Sequence, residues 1–291
     1  MHRSTWLHLR IPFSLYLMPV FVFAACQFPF ADIKNLVISF VAIHIFLYPA
    51  SNGFNSYFDK DTESIGGLEK PPPVKLELYY VSLAFDLVAI GLGLLINWEF
   101  ALMLFIYGLV SKAYSHPMIR LKKYGILALL TASIFQGAFT YLMATVALHG
   151  YHFSQLNDGE IIVPALLSSA MILGFYPLTQ IYQHKEDKDR GDKTASILLG
   201  CNGTFIFSAI VFLFANLGFY LYFMNYFHRV IYFVLFQVFL APLFAFFVLW
   251  YFAFLVDKNE ANFRNAMLLN KIASACLVSF FIMVAILQNW F

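Results

Sequence analysis

Long apolar runs alternate with short polar segments along the whole chain. A helix needs about 20 mostly apolar residues to cross a bilayer, and most of these runs are about that long. Because backbone groups in lipid must be hydrogen-bonded within their own segment, such runs span a membrane as helices. The short connections favour an antiparallel bundle. The pattern predicts nine membrane-spanning helices, at residues 11–30, 34–58, 76–97, 99–116, 124–148, 161–184, 203–226, 229–256 and 264–290.

Composition supports a membrane protein over a soluble one. The 291 residues are 61% hydrophobic and 12% charged, whereas soluble domains are about 45–50% apolar and about 25% charged. No low-complexity linker divides the chain, so residues 1–291 are interpreted as one membrane domain. The net charge of +2 is too small and too dispersed to indicate nucleic-acid binding. The three cysteines lack metal-site spacing and are interpreted as packing residues.

Lysine and arginine are distributed unequally between the two sides of the predicted bundle. With the N-terminus in the cytoplasm, 14 of them fall on the inner side and two, Lys34 and Arg229, on the outer side. Cytoplasmic loops carry an excess of positive residues, so we expect a multi-pass protein of the cell membrane with a cytoplasmic N-terminus. In this orientation residues 55–75, 114–124 and 184–202 share one face.

The first candidate site lies where the second apolar run ends. Asn55, Asp59 and Glu63 are spaced by four residues, and Asn52 precedes them. On a helix these side chains share one face, with Asp61 on roughly the opposite side. A stripe of amide and carboxylate oxygens suits Mg²⁺, which leaves further positions to water and substrate phosphates. The alternative interpretation is a polar helix end that is solvated at the membrane interface.

A second polar group follows the sixth apolar run. Thr179, Gln183 and Asp187 are four residues apart and share one helical face, with Glu186 one step aside. Glu186 and Asp187 are the preferred ligands for a second metal ion, because carboxylates bind Mg²⁺. Two other acids of this stretch are second choices, namely Asp189 and Asp192. The alternative interpretation is a solvated loop of mixed charge.

Basic residues end the fourth apolar run. Arg120, Lys122 and Lys123 fall on the same predicted face as the two acidic groups. Arginine offers phosphate a planar fork of donors and lysine a point charge, so the three groups together indicate a diphosphate held by Mg²⁺. The cations would neutralise this leaving group as a carbon–oxygen bond breaks. The alternative is that these residues only determine membrane orientation.

Five polar residues interrupt the apolar runs themselves. Such groups are costly in lipid, so each is expected to face the bundle interior or a cavity. They are His44, Asp86, Lys112, Gln136 and Lys271.

Three stretches of the sequence resemble the UbiA superfamily of intramembrane prenyltransferases. The family's Asn-x-x-x-Asp-x-x-x-Asp signature is similar to residues 55–63, with Glu63 in the last place. Its Tyr-Ser-x-Pro-x-x-Arg-Leu-Lys stretch is similar to residues 114–122, and its early Arg-x-Pro to residues 10–12. The resemblance in span count and polar-loop placement covers the whole chain.

The second acidic signature departs from the family pattern. The family has Asp-x-x-x-Asp-x-x-x-Asp after the sixth span, whereas this chain has Thr179, Gln183 and Asp187 at the places that look equivalent. Residues 191–194 resemble the close of the family's motif. Two carboxylates are therefore replaced, and the ligands of the second metal stay open.

The resemblance implies an all-α integral membrane fold with nine helices around a central cavity. It also implies Mg²⁺ as cofactor, and transfer of a prenyl group from an isoprenoid diphosphate to an aromatic or lipid acceptor, with release of diphosphate. The implied metal ligands are Asn55, Asp59, Glu63, Gln183, Glu186 and Asp187. The implied catalytic residues are Asp59, Tyr114, Arg120 and Lys122. The implied substrate-binding residues are Arg10, Asn52, Asn55, Arg120, Lys122 and Lys193.

Three other functions stay open at the level of sequence. A UbiA-type terpene cyclase uses the same metal and diphosphate but captures the cation within the same molecule. A membrane transporter lines a path with the polar residues and moves its substrate without releasing diphosphate. A non-catalytic membrane scaffold would neither release diphosphate nor move a substrate. The acceptor, the prenyl chain length and the oligomeric state are not determined by the sequence.

Overall fold

Long helices form most of the structure, a computed structural model that describes residues 2–27 and 32–290. Within these residues the long helices are α1 (Arg3–Ala25), α2 (Ile33–Asp59), α3 (Glu77–Leu94), α4 (Trp98–Ser115), α5 (Gly125–His149), α6 (Gly159–Gln180), α7 (Ala195–Phe227), α8 (Val230–Val256) and α9 (Phe263–Trp290). Residues 28–30, the end of the predicted first span, lie outside the described residues.

Eight of these helices, counted over the described residues, are long and apolar enough to cross a membrane. The remaining one, α4, is 18 residues long and carries Glu99 and Lys112 among its apolar side chains. The predicted all-α membrane fold is confirmed, and the predicted count of nine spans is approximate. Outside the helices, the two-residue strand Lys193–Thr194 pairs in parallel with residues 124–125.

The first long helix, α1, is not regular. Arg10 has left-handed backbone angles (φ 49°, ψ 42°), which are uncommon for a residue other than glycine. The resulting turn buries the Arg10 side chain, which is 8% exposed. The segments of α1 are Arg3–Leu9, Ile11–Ser14, the 3-10 turn Leu15–Leu17, and Met18–Ala25.

Three helices differ clearly from their predicted bounds. The first span was predicted at residues 11–30, whereas α1 begins at Arg3 and ends at Ala25. The sixth span was predicted to reach residue 184, but the α-helical part of α6 (Gly159–Phe175) changes to a 3-10 turn at Pro177–Gln180. Proline lacks the backbone N–H that would continue the α-helix. A separate short helix, His184–Asp189, follows. Helix α7 begins at residue 195 instead of the predicted 203 and breaks at Gly200, where φ is 67°.

Aromatic side chains fill the centre of the bundle. Phe23 of α1 stacks on Phe281 of α9 with ring centroids 4.3 Å apart, and meets Tyr141 of α5 edge-on at 5.4 Å. All three side chains are almost completely buried. Such ring pairs contribute about 0.5–1.5 kcal/mol beyond the area they bury, so they help to hold these three helices together.

Four of the five polar residues expected to face the interior do so. His44 is fully buried, and its Nδ1 lies 3.1 Å from a backbone carbonyl oxygen of α1. Asp86 and Lys112 form an ion pair between α3 and α4. Gln136 lines a central cavity. The expectation is wrong for Lys271, which is exposed; its long side chain lies near the loop-bearing end of α9 and extends outward.

The polar loops that follow α2, α4 and α6 meet at one end of the bundle. The backbone N–H of Thr62 in the first loop donates to Glu186 Oε1 in the third at 2.8 Å. Arg120 in the second loop donates to both carboxylate oxygens of Asp192 in the third, at 3.0 and 2.9 Å. The three polar groups singled out in the sequence therefore lie side by side.

Candidate active site

A central cavity of about 260 Å³ extends from the loop-bearing end into the bundle. Charged side chains line it near the loops, and mainly aromatic and aliphatic side chains line its depth. The charged residues of the lining are Arg10, Asp59, Asp61, Lys122, Asp187, Arg190 and Asp192. A concave site with a few convergent polar groups above an apolar interior suits a ligand with a charged head and an apolar body.

Helix α2 presents Asn55 and Asp59 to the cavity, one helical turn apart. The amide oxygen of Asn55 accepts hydrogen bonds from Ser115 Oγ at 2.7 Å and from Lys122 Nζ at 3.3 Å. Lys122 also forms an ion pair with Asp59, and these two side chains are 9% and 4% exposed. The two predicted ligands on α2 thus lie together beside a buried cation.

The predicted stripe of ligands does not extend to Glu63. Helix α2 ends at Asp59 because Lys60 adopts left-handed backbone angles (φ 52°, ψ 40°). The chain then carries Glu63 away from the cavity, and its carboxylate, 47% exposed, pairs with Lys185 at 3.2 Å. Asp61, expected on the opposite side of the helix, lines the cavity and is 7% exposed. Asp61 therefore takes the place in the cavity that was predicted for Glu63.

Arg190 joins the second acidic group to the first. Its guanidinium pairs with Asp61 and with Asp187, the latter at 2.6 Å, and its Nε lies 3.4 Å from Asp192 Oδ2. Burial raises the pKa of Asp187 to about 6, against the lowering effect of Arg190. Burial alone would lower the pKa of Arg190, but Asp61 and the neighbouring carboxylates raise it above its ordinary value. Arg190 is therefore a permanent cation at the cavity.

The single helical stripe predicted for the second polar group is wrong. Because α6 ends in a 3-10 turn, Thr179, Gln183 and Asp187 do not follow one continuous helix, although each lines the cavity. The Nε2 of Gln183 donates to a backbone carbonyl of the first loop at 3.3 Å. Glu186 is not among the lining residues; its Oε1 accepts the backbone N–H groups of residues 62–63 at 2.8 and 3.4 Å. Glu186 thus orders the first loop.

Helix α1 contributes Arg10 to the same cavity. Its guanidinium donates to the carbonyl oxygens of Gly66 at 3.2 Å and Asn52 at 3.1 Å. Asn52 also lines the cavity, and its Nδ2 donates to Ser14 Oγ at 3.3 Å. The Nε of Arg10 is buried without a hydrogen-bond partner among the described residues. Both of these predicted substrate-binding residues thus lie at the cavity.

Arg120 was predicted as a catalytic and substrate-binding residue and Lys193 as a substrate-binding residue, but neither lines the cavity. Arg120 uses two of its donors on Asp192, and this hydrogen-bonded pair raises the pKa of Arg120. The pair holds Asp192 at the cavity edge. Lys193 is exposed, because alternate residues of its short strand face opposite sides and its neighbour Thr194 takes the inner one.

A sequence model of the UbiA prenyltransferase family matches residues 16–275 of the chain. The chain belongs to the UbiA prenyltransferase family. No curated protein sequence matches it.

Solved structures of UbiA homologues share the fold along almost the whole chain. A homologue from Archaeoglobus fulgidus bound to GPP and Mg²⁺ has a TM-score of 0.70 and 17% identity, over 97% of this chain and 99% of that one. The apo structure of a homologue from Aeropyrum pernix K1 has a TM-score of 0.70 and 19% identity, over 92% and 98%. A digeranylgeranylglyceryl phosphate synthase has a TM-score of 0.61 and 19% identity, over 97% and 98%. At these identities the likeness establishes the UbiA fold.

Several cavity residues of this UbiA family member were not predicted as site residues. They are Asp61, Tyr176, Gln180, Tyr182 and Arg190. The hydroxyl of Tyr176 is hydrogen-bonded to that of Tyr114, a predicted catalytic residue that also lines the cavity. The Tyr182 hydroxyl and the Gln180 Oε1 are buried without partners among the described residues. The one available signal was the three-residue spacing of Arg190 from Asp187, which allows an ion pair along a helix.

The donor set of the UbiA cavity fits a magnesium ion that shares a phosphate ligand. No group of three or more His, Cys, Asp or Glu side chains in the described residues is placed to hold a metal alone. Mg²⁺ usually takes one or two protein carboxylates and fills its other positions with water and substrate phosphates. Asp59 and Asp187 supply two carboxylates, and the Oδ2 of Asp187 is buried with no hydrogen-bond partner in the part of the chain that the structure describes. Asp59 and Asp187 therefore meet the requirement of Mg²⁺ for one or two protein carboxylates.

Proposed function

We propose that this UbiA family member transfers a prenyl group from an isoprenoid diphosphate to an aromatic or lipid acceptor and releases diphosphate. The observation that carries the proposal is the convergence of Asn55 and Asp59 with Asp187 and Arg190 on one cavity. Structures of a UbiA homologue from Archaeoglobus fulgidus, which has the same fold, are bound to GPP or to DMAPP together with Mg²⁺, and this supports the proposal.

Asn55, Asp59 and Asp187 are the residues we propose to hold Mg²⁺, with Gln183 beside them. When bound, the ion supplies positive charge to the diphosphate oxygens and makes diphosphate a better leaving group. Glu63 and Glu186 are left out of this set because neither lines the cavity.

Lys122 and Arg190 are proposed to bind the diphosphate. Each is already held at the cavity by carboxylates, so little reorganisation is required to place it. In the reaction the bond between C1 of the prenyl group and the diphosphate oxygen breaks, and its electron pair leaves with the diphosphate. The allylic cation then bonds to a nucleophilic atom of the acceptor, which loses a proton to solvent. The two basic side chains stabilise the negative charge that develops on the leaving oxygen.

The depth of the cavity is proposed to hold the prenyl chain. Leu17, Val20, Met171, Phe175 and Leu277 give it an apolar lining. Such a lining favours a hydrocarbon chain and keeps water from the reactive cation. The excess of lysine and arginine at the loop-bearing end supports a cytoplasmic location for the diphosphate site and for the N-terminus.

Purified protein is expected to release pyrophosphate and form a prenylated product when it is given a panel of prenyl diphosphates, Mg²⁺ and aromatic or lipid acceptors. Excess chelator is expected to abolish the release, and restored Mg²⁺ to recover it. Pyrophosphate is measured by a coupled assay and products by mass spectrometry. Undiminished turnover in chelator contradicts the metal role. A cyclic hydrocarbon formed without any acceptor indicates a terpene cyclase, and substrate movement without pyrophosphate release indicates a transporter.

Replacing Glu63 with alanine is expected to change the rate of pyrophosphate release by less than about twofold. Its carboxylate forms an exposed ion pair with Lys185 outside the cavity, and such pairs contribute only about 0–1 kcal/mol. The rate is measured at saturating and at limiting Mg²⁺. A marked rise in the Mg²⁺ concentration needed for half-maximal rate would restore Glu63 as a metal ligand.

A further inference from the structure

A second, smaller cavity lies behind the wall of the first. It has a volume of about 30 Å³ and is lined by residues of α6, α7, α8 and α9. Three residues line both cavities, namely Met171, Phe175 and Leu277. These shared side chains therefore lie between the candidate active site and the smaller cavity.

The smaller cavity is apolar in character. Its lining is mostly phenylalanine and leucine, including Phe219 and Phe236, whose ring centroids are 4.6 Å apart. Asn216 is the one polar side chain of this lining, and its amide exchanges hydrogen bonds with Gln237 at 3.2 and 3.4 Å. Because this amide is already hydrogen-bonded to Gln237, the smaller cavity mainly offers apolar contacts to a ligand.

Among the three residues that line both cavities, Phe175 packs against an aromatic ring of the smaller cavity. Its ring lies 4.7 Å from that of Phe212, a residue of the smaller cavity. The neighbouring Gly174 brings α6 close to α7, since a Cβ there would lie 2.4 Å from the Phe212 ring. Phe175 lies about 8–10 Å along the axis from the loop-bearing end of α6 at Gln180, counted at about 1.5–2 Å per residue. It therefore lines the cavity on the bundle side of the charged residues.

We propose that Phe175, with Met171 and Leu277 beside it, ends the prenyl-binding space and so determines the longest prenyl chain that this protein uses. The inference rests on the proposed function and adds a specificity role for these residues. The small cavity is the room into which the chain end extends when the Phe175 ring is removed.

The volumes make this role testable. A cavity of about 30 Å³ is too small for a five-carbon isoprene unit. Cutting back a large side chain in a packed interior leaves roughly 150 Å³, which is enough to hold a molecule the size of benzene. Phe175→Ala therefore adds space for about one isoprene unit. Even one methylene in an apolar pocket changes selectivity by about 10–200-fold.

The test is a competition assay with wild type and variants, using an equimolar mixture of C5, C10, C15 and C20 prenyl diphosphates and Mg²⁺. Phe175→Ala is expected to shift the kcat/KM preference by at least about tenfold towards a chain one unit longer. Phe175→Trp is expected to shift it towards a shorter chain. Phe214→Ala, the same change at a ring of α7 that is 67% exposed, is the matched control and is expected to keep the wild-type preference.

The outcomes separate this inference from the proposed function. Opposite shifts in chain-length preference for Phe175→Ala and Phe175→Trp support the proposal that Phe175 ends the prenyl-binding space. An unchanged preference in both active variants overturns it and indicates that the chain leaves the cavity elsewhere. Should Phe175→Ala fail to fold, the Phe175→Trp and Met171→Ala variants test the same wall from either direction. Failure of the wild type to release pyrophosphate from any of the four substrates overturns the proposed function instead.

Discussion

We expect the Asp59→Ala variant to lose pyrophosphate release by at least about 10²–10³-fold while still inserting into membranes, the range seen when one preorganised electrostatic group is removed. Asp59 lies in the cavity, and its side chain is 4% exposed and paired with Lys122. The change removes a proposed Mg²⁺ ligand. It also leaves a buried lysine without its carboxylate, so the position of that cation is lost as well. The rate is measured with the best prenyl diphosphate from the panel.

Two controls separate this loss from misfolding. Asp59→Asn keeps the size of the side chain and removes the charge, so it is expected to be inactive with a wild-type elution volume and thermal stability. Glu69→Ala removes an exposed acid from the loop that follows α2 and is expected to be fully active. Wild-type turnover in Asp59→Ala would exclude a metal or charge role for this carboxylate.

The fold was predictable because its signal is spread over many residues. Each span contributes a long apolar run, and no single residue decides whether it crosses the membrane. The bounds were less predictable where one residue changes the helix type. Pro177 ends the α-helical part of α6, and Gly200 breaks α7 without ending it. Proline and glycine mark such places, but the sequence does not say which continuation the packing around them selects.

The acids of the first candidate site show more clearly what the sequence alone does not predict. The choice between Glu63 and Asp61 depends on the backbone of one residue, Lys60, which adopts left-handed angles. Such angles are uncommon outside glycine, so periodicity was extended past the true end of the helix. Asn55 and Asp59 precede that point, and both lie in the cavity as expected.

The position of Arg190 at the cavity could not be predicted from the sequence for a different reason. In the sequence it belongs to a run of alternating charges, a pattern typical of solvated loops. In the structure it meets Asp61, a residue 129 positions earlier in the chain. Spacing within a segment predicts neighbours on one helix, whereas this contact depends on how two loops pack. The same limit applies to Arg120, whose partner Asp192 is 72 positions away.

Because Arg190 contacts acids from both groups, its replacement is expected to have the second-largest effect on activity. We expect Arg190→Met to lower kcat/KM for the prenyl diphosphate by about 10²–10³-fold. The change removes a proposed diphosphate donor and leaves Asp61 and Asp187 without their shared partner. Arg190→Lys is expected to recover part of the activity, because lysine restores the charge but not the planar fork that bridges several carboxylates.

The matched control for Arg190 is Lys188→Met, which removes an exposed cation from the adjoining short helix and is expected to keep the wild-type rate. Pyrophosphate release is compared for all three variants over a range of substrate and Mg²⁺ concentrations. A purely structural role would lower the amount of active enzyme and leave KM unchanged. A substrate role raises KM for the prenyl diphosphate in Arg190→Lys, and a wild-type KM in that variant would assign diphosphate binding to Lys122 and Arg10 instead.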